Sequence, residues 1–431
     1  VPFIGPPFAV SFETRIFTGS FPYILPFMDY LEAYNTLKST INYENDRVVS
    51  GEVTVLNFTF ESTAYDLLTG HSRYVCDLHG LTFDGQPISG HSTHHEKVDN
   101  TDSDIEENRF FRYSVFFPGK PEKAKRLILF FHGFNERSWD KYYPWARMIA
   151  KKTGKAVVLF PIAFHMNRAP AFWSDKRKMF ELSQVREKKY PNLVKSSFSN
   201  VAISVRLHTH PDRFIWSGLE TYNDIIHFVA LCKAGLHPLV ERECSYDFFS
   251  YSIGSLLAEI LKLTNHQGYF TDSKLCMFCG GAVFNRLAPV SKFILDSEAN
   301  VALYSYLVEH IDSHKKKNPR LRHYLSQEHP EGFNFYSMLD YKINLEYREG
   351  LFRSVQDQVY AIALKQDKVV PSYEVVNTLQ GIQRDIRIPV DTMDFPYPYS
   401  HENPFPSRDP IREDVDAAFS SVFTKIGDFL K

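Results

Sequence analysis

The stretch Phe248-Phe249-Ser250-Tyr251-Ser252-Ile253-Gly254-Ser255-Leu256-Leu257 joins two patterns. Before the turn, "SYDFFS" (245–250) is a short, mostly apolar run that reads as a buried strand. After it, "SLLAEILKL" (255–263) repeats apolar residues at helical spacing. Two readings compete for Ser252. It can be the N-cap of the helix, a role serine favours. It can also be a nucleophile on a sharp strand-to-helix turn, which needs small residues two positions to either side. Ser250 and Gly254 are those small residues.

The flanking sequence repeats the same alternation. "RFFRYSVFFP" (109–118), "RLILFFHGF" (126–134), "KAVVLFP" (155–161), "KLCMFCGG" (274–281), "QVYAIALKQD" (358–367) and "IPVDTMDF" (388–395) read as strands. Amphipathic stretches at 138–154, 217–235, 372–382 and 412–431 read as helices. Near-continuous apolar strands between such helices predict an α/β fold, a mostly parallel central sheet with helices on both faces. Residues 1–108 read as an N-terminal extension packed on the core, with one alternating stretch at 51–62 and a polar loop at 94–108. The core takes residues 109–281 and 358–431, and 282–357 forms a helical cap insertion. Residues 162–216 read as polar and irregular, and the basic run "SHKKKNPRLRH" (313–323) as a solvated face.

Composition narrows the function classes. The 431 residues are 44% hydrophobic and 23% charged with a net charge of −2, a globular balance without the basic footprint of a nucleic-acid binder. No apolar run approaches the ~20 residues of a membrane span. The start, "VPFIGPPFAV", is broken by prolines and lacks a basic segment, a poor signal peptide. With five cysteines expected to be free, a cytoplasmic location is expected. Cys276 and Cys279 form a C-x-x-C pair, but in a buried strand without further ligands at suitable spacing. His208 and His210 alternate as metal ligands can, again without company, and His94-His95 falls in a polar loop. The expectation is no metal and no organic cofactor.

In parallel sheets, function gathers at the carboxyl ends of the strands. There the sequence places His132-Gly133-Phe134, then S-x-S-x-G at 250–254, then Asp367, then His401 in "YPYSHENPFP". In this order the chain resembles the α/β-hydrolase superfamily over roughly residues 109–431, whose triad runs Ser…Asp/Glu…His. "NERSWDKYYPWA", "AFHMNRAP", "YSIGS" and "SHENPFP" resemble a bacterial branch of these hydrolases, which implies no particular substrate. Ser250 departs from the usual G-x-S-x-G. The resemblance implies Ser252 as nucleophile, His401 as base and Asp367 as the acid that orients it, with Asp391 and Asp394 as rivals. The backbone N–H groups of Ile253 and Phe134 would form the oxyanion hole, with His132 orienting that loop. Tyr251, His165 and Arg168 are candidate substrate contacts; His165 and Arg168 could instead hold their loop.

The expected activity is hydrolysis of a small-molecule carboxylic ester through an acyl-enzyme. An amidase, peptidase or acyltransferase would use the same triad, and a binding protein could keep the fold without turnover. The stretch 291–311 carries Phe293, Ile294, Leu303 and Leu307, apolar residues for a helical core or for a wall facing an acyl group.

Overall fold

The computed structural model describes residues 29–50, 52–85 and 98–431. The apolar start and His94-His95 lie outside them. Eleven strands are present among the described residues. In chain order they are β1 (Arg47–Ser50), β2 (Val53–Glu61), β3 (Arg73–Cys76), β4 (Leu81–Asp84), β5 (Phe110–Pro118) and β6 (Ala124–Phe131). They continue with β7 (Ala156–Leu159), β8 (Val240–Tyr251), β9 (Leu275–Phe278), β10 (Val359–Leu364) and β11 (Val390–Met393).

Nine strands form one sheet in the order β1-β2-β5-β7-β6-β8-β9-β10-β11, while β3 and β4 pair as a separate hairpin. From β7 to β11 every pairing is parallel; β5 runs antiparallel to both β2 and β7. Counted from β2, the spatial order is first, second, fourth, third, then fifth to eighth, with only the second strand reversed. This is the α/β-hydrolase fold, with β1 added at one edge. Alternate residues of each central strand enter opposite cores. Leu127, Leu129 and Phe131 join one cluster, Ile128 and Phe130 the other. Both faces are therefore covered, and these strands read as continuous apolar runs.

Three expectations change. The boundary at 108 cuts through the sheet, because β2 pairs with β5 over nine residues, from Val53–Pro118 to Glu61–Phe110. Residues 47–61 are thus part of the sheet rather than a layer packed on it. The region 162–216 holds two helices, Lys176–Lys189 and Val201–Thr209, and the start of a third, Arg213–Lys233. Their apolar periodicity is broken by arginines that are buried in ion pairs: Arg186 with Asp296 at 2.6 Å, Arg206 with Asp102, and Arg213 with Asp99 at 2.5 Å. Third, the basic run keeps Lys316 and Lys317 exposed, but Arg320, Leu321 and His323 turn inward. Between β9 and β10 the chain is helical, as expected, and its Leu303, Leu321 and Phe335 enter the same core as the sheet.

Candidate active site

β8 ends at Tyr251, and the chain turns at Ser252 into the helix Gly254–Thr264. Ser252 has a φ of 56°, a left-handed conformation that costs a side-chain-bearing residue ~1–3 kcal/mol. The turn sits hard against β6. A Cβ on Gly254 would lie 2.6 Å from the His132 carbonyl oxygen and 2.8 Å from that of Phe131, so only glycine fits. Ser250 tolerates its extra atoms because its hydroxyl meets the Ser255 hydroxyl at 3.1 Å.

The turn aims Ser252 Oγ at His401 Nε2, 2.6 Å away. The other ring nitrogen, Nδ1, lies 2.7 Å from Asp367 Oδ2. The second oxygen of Asp367 accepts the backbone N–H groups of Val369 and Val370, each at 2.9 Å, which fixes the carboxylate just beyond β10. Ser252, His401 and Asp367 are all buried. The rival acids are committed elsewhere. Asp391 binds Lys425 and Tyr360, and Asp394 accepts from Gln366 and Tyr399; these partners hold both carboxyls below the usual range.

Ile253 and Phe134 line the same cavity as Ser252. Ile253 begins the turn into the helix, and Phe134 lies in the loop after β6. Among the described residues neither N–H has a backbone or side-chain acceptor. The Phe134 loop is rigid for a visible reason. His132 Nε2 accepts the Ile162 N–H at 3.0 Å, so its proton sits on Nδ1 and is donated to the Gly133 carbonyl at 2.8 Å. Burial drives the His132 pKa well below the usual value, which keeps the ring neutral in that role. The Gly133 N–H donates to the Tyr142 hydroxyl at 3.0 Å.

Beside Ser252 opens a small apolar cavity walled by Phe134, Ile253, Phe284, Ile294, Leu303 and Val370. A second, larger cavity shares Phe134, Phe214 and Ile253 with it. Its lining includes His165, whose Nδ1 is satisfied by the Ala163 carbonyl at 2.8 Å while Nε2 has no partner among the described residues. Burial pushes the His165 pKa down to about 3, so the unpartnered Nε2 is a neutral acceptor. Of the stretch 291–311, Ile294 and Leu303 face the first cavity, Leu307 is core, and Phe293 is exposed.

The other two candidate substrate contacts lie outside both cavities. Tyr251 is buried, hydrogen-bonds the His401 carbonyl, and stacks on the His401 ring at 5.4 Å and 17°. It positions the histidine. Arg168 is fully buried and pairs with Asp224 at 2.9 Å and Glu220 at 3.2 Å, which holds the loop after β7. Cys276 is core, and Cys279 packs beside Asp367. The His208 ring makes a tilted contact with Tyr190, 5.0 Å between ring centres. The positioning role of Tyr251 had no signal in the sequence beyond its place next to Ser252.

No curated protein matches the chain in sequence. Similar solved structures include carboxyl esterase 2 from the mycorrhizal fungus Tuber melanosporum, at 10% identity and TM-score 0.41, covering 75% of this chain and 82% of that one. Esterase Est22 is 13% identical at TM-score 0.40, covering 92% and 86%. A thermostable esterase from Pseudomonas putida ECU1011 is 10% identical at TM-score 0.38, covering 85% and 87%. Likeness this distant does not bear on activity, and the fold is read from the strand order. A family model does match, over residues 28–431. The chain belongs to the family of unknown function DUF6051.

Proposed function

We propose that this chain is a serine hydrolase that cleaves a carboxylic ester with an apolar acyl group. The observation that carries this reading is the continuous contact from Asp367 through His401 to the Ser252 hydroxyl, 2.7 and 2.6 Å, at a strained strand–helix turn. A serine held at φ 56° only to cap a helix would have no need of a buried histidine and carboxylate behind it.

Ser252 Oγ attacks the ester carbonyl carbon as its proton passes to His401 Nε2. The carbonyl oxygen takes the negative charge and receives the N–H groups of Ile253 and Phe134. Each such donor is worth ~10²–10³ in rate, because it is already oriented when the charge develops. The C–O bond to the leaving alcohol then breaks, and His401 returns the proton to that oxygen. Water, deprotonated by the same imidazole, cleaves the acyl-enzyme and releases the acid. Asp367 keeps the His401 proton on Nδ1 in the resting state and stabilises the imidazolium. The acyl group occupies the apolar cavity beside Ser252. In the adjoining cavity, His165 Nε2 offers an acceptor to a substrate hydroxyl or amide N–H. No step needs a metal or organic cofactor. An amidase or acyltransferase would differ only in leaving group and acceptor.

The test is labelling with a fluorophosphonate and turnover of p-nitrophenyl esters. Wild-type protein is expected to label and turn over, and Ser252→Ala to do neither while keeping its circular dichroism. Labelling that survives in Ser252→Ala moves the nucleophile elsewhere, and a folded wild type that neither labels nor turns over is a binding protein.

A further inference from the structure

Away from Ser252, the turn of the β3–β4 hairpin meets two helices of the insertion. Cys76 ends β3, and His79 lies in the turn. His323 belongs to the helix Pro319–Tyr324, and His329 precedes the helix Pro330–Ser337. One ligand-capable atom from each falls within 4.8 Å of all the others. Cys76 Sγ is 3.5 Å from His79 Nδ1 and 3.4 Å from His329 Nε2, and His329 Nε2 is 3.0 Å from His323 Nε2. Cys76, His323 and His329 are buried.

The protons decide what this cluster is for. His323 Nδ1 faces Glu328 at 2.9 Å, and His329 Nδ1 faces Glu331 at 2.9 Å. A carboxylate only accepts, so both Nδ1 atoms carry the hydrogen. In neutral rings both Nε2 atoms are then bare lone pairs, facing each other at hydrogen-bond distance with a sulfur alongside. Neutral, this arrangement is repulsive; a cation at its centre makes it favourable. A tetrahedral zinc ion sits ~2.1 Å from nitrogen and ~2.3 Å from sulfur, which spaces its ligands ~3.3–3.6 Å apart. Glutamates behind the two histidines are the outer partners that such ligands recruit.

We propose that Cys76, His79, His323 and His329 bind one Zn²⁺ ion. Thiolate with three imidazoles selects a borderline-soft metal over Mg²⁺ or Ca²⁺. Four protein ligands leave no open position, so the ion is structural. It ties residues 253 apart in sequence, closing a loop long enough for the constraint on the unfolded chain to be large. The same junction is held by Arg320, whose guanidinium lies 3.4 Å over the Tyr74 ring and 3.6 Å over the Trp216 ring. The C-x-x-C pair of Cys276 and Cys279 takes no part. The sequence signals were two short pairs, Cys76-x-x-His79 and His323-x₅-His329, each too weak alone to overturn the expectation of no metal.

The test uses the full chain purified through a tag without histidines. Elemental analysis is expected to find about one zinc per chain, and Cys76→Ser to remove it. Replacement by Co²⁺ should give a thiolate-to-cobalt charge-transfer band that Cys76→Ser abolishes. His79 is exposed, so His79→Ala should fold and surrender zinc to a chelator that the wild type resists. Glu331→Gln should weaken zinc binding by ~10-fold or more, acting through His329. A folded wild type without metal, with no cobalt band on titration, overturns the proposal. So does copper or iron at one per chain in place of zinc.

Discussion

Asp367 shows how much a single placement decides. Three acids stand near the ends of the last two strands, and the choice among them rests on what each already binds. Asp367 gives one oxygen to two backbone N–H groups and keeps the other for His401. Asp394 is spent on Gln366 and Tyr399, near the surface. Asp367→Asn replaces an acceptor oxygen with an NH₂ donor or leaves the imidazole in the wrong tautomer. Ester turnover is expected to fall by roughly 10⁴-fold, as when such an acid is lost elsewhere. Asp394→Asn and Asp391→Asn should change it only a few-fold. Steady-state rates on one p-nitrophenyl ester compare the three, and a larger loss in Asp394→Asn would reverse the assignment.

At the scale of elements, the insertion between β9 and β10 supplies part of the wall beside Ser252. Ile294 and Leu303 meet Phe134, Phe284 and Val370 around the same space. Leu303→Ala enlarges that space and Leu303→Phe fills it. The first variant should shift preference toward longer acyl chains and the second toward shorter ones, with labelling by a small fluorophosphonate little changed. Identical chain-length profiles in both variants would put the acyl group elsewhere, most directly in the His165 cavity.

The helix behind the nucleophile carries a different signal. Glu259 is buried with neither carboxylate oxygen hydrogen-bonded among the described residues. Burial raises its pKa from 4.5 to about 8, against a smaller opposing pull from Arg348. Between those values the folded chain holds a proton that the unfolded chain has released, so stability falls as pH rises through this window. Glu259→Gln removes that proton exchange. The stability difference, mutant minus wild type, should grow from about pH 5 to about pH 8 and then level off. Urea unfolding at several pH values reads it; parallel curves for the two proteins would mean that Glu259 is ionised in the folded state.

For the molecule as a whole, the central strands, their order of motifs and the contacts of Ser252, Asp367 and His401 were legible in sequence. The reason is physical: strands buried on both faces are continuous apolar runs, and the site lies at their ends. What was not legible is where burial is achieved by charge. Arg186, Arg206 and Arg213 face inward on helices that look polar, and their partners Asp296, Asp102 and Asp99 are distant in sequence. The expected boundary at residue 108 is crossed by the β2–β5 pairing and also by buried polar pairs. Ser62 bonds Asp224 at 2.7 Å, Asn108 bonds Glu220 at 2.7 Å, and Asp102 serves both Arg206 and Arg213. A chain starting at residue 109 would lose β2, leaving the β5 edge unpaired. It would also strand two buried arginines, and a buried ion pair broken on one side costs ~3–5 kcal/mol. With total stability of order 5–15 kcal/mol, such losses in combination exceed what a domain can spare. The truncated chain is therefore expected to be insoluble or unfolded and not to label with fluorophosphonate, although the entire Ser-His-Asp set is retained. Soluble expression with a cooperative melt and intact labelling would restore residues 1–108 to the status of a removable extension.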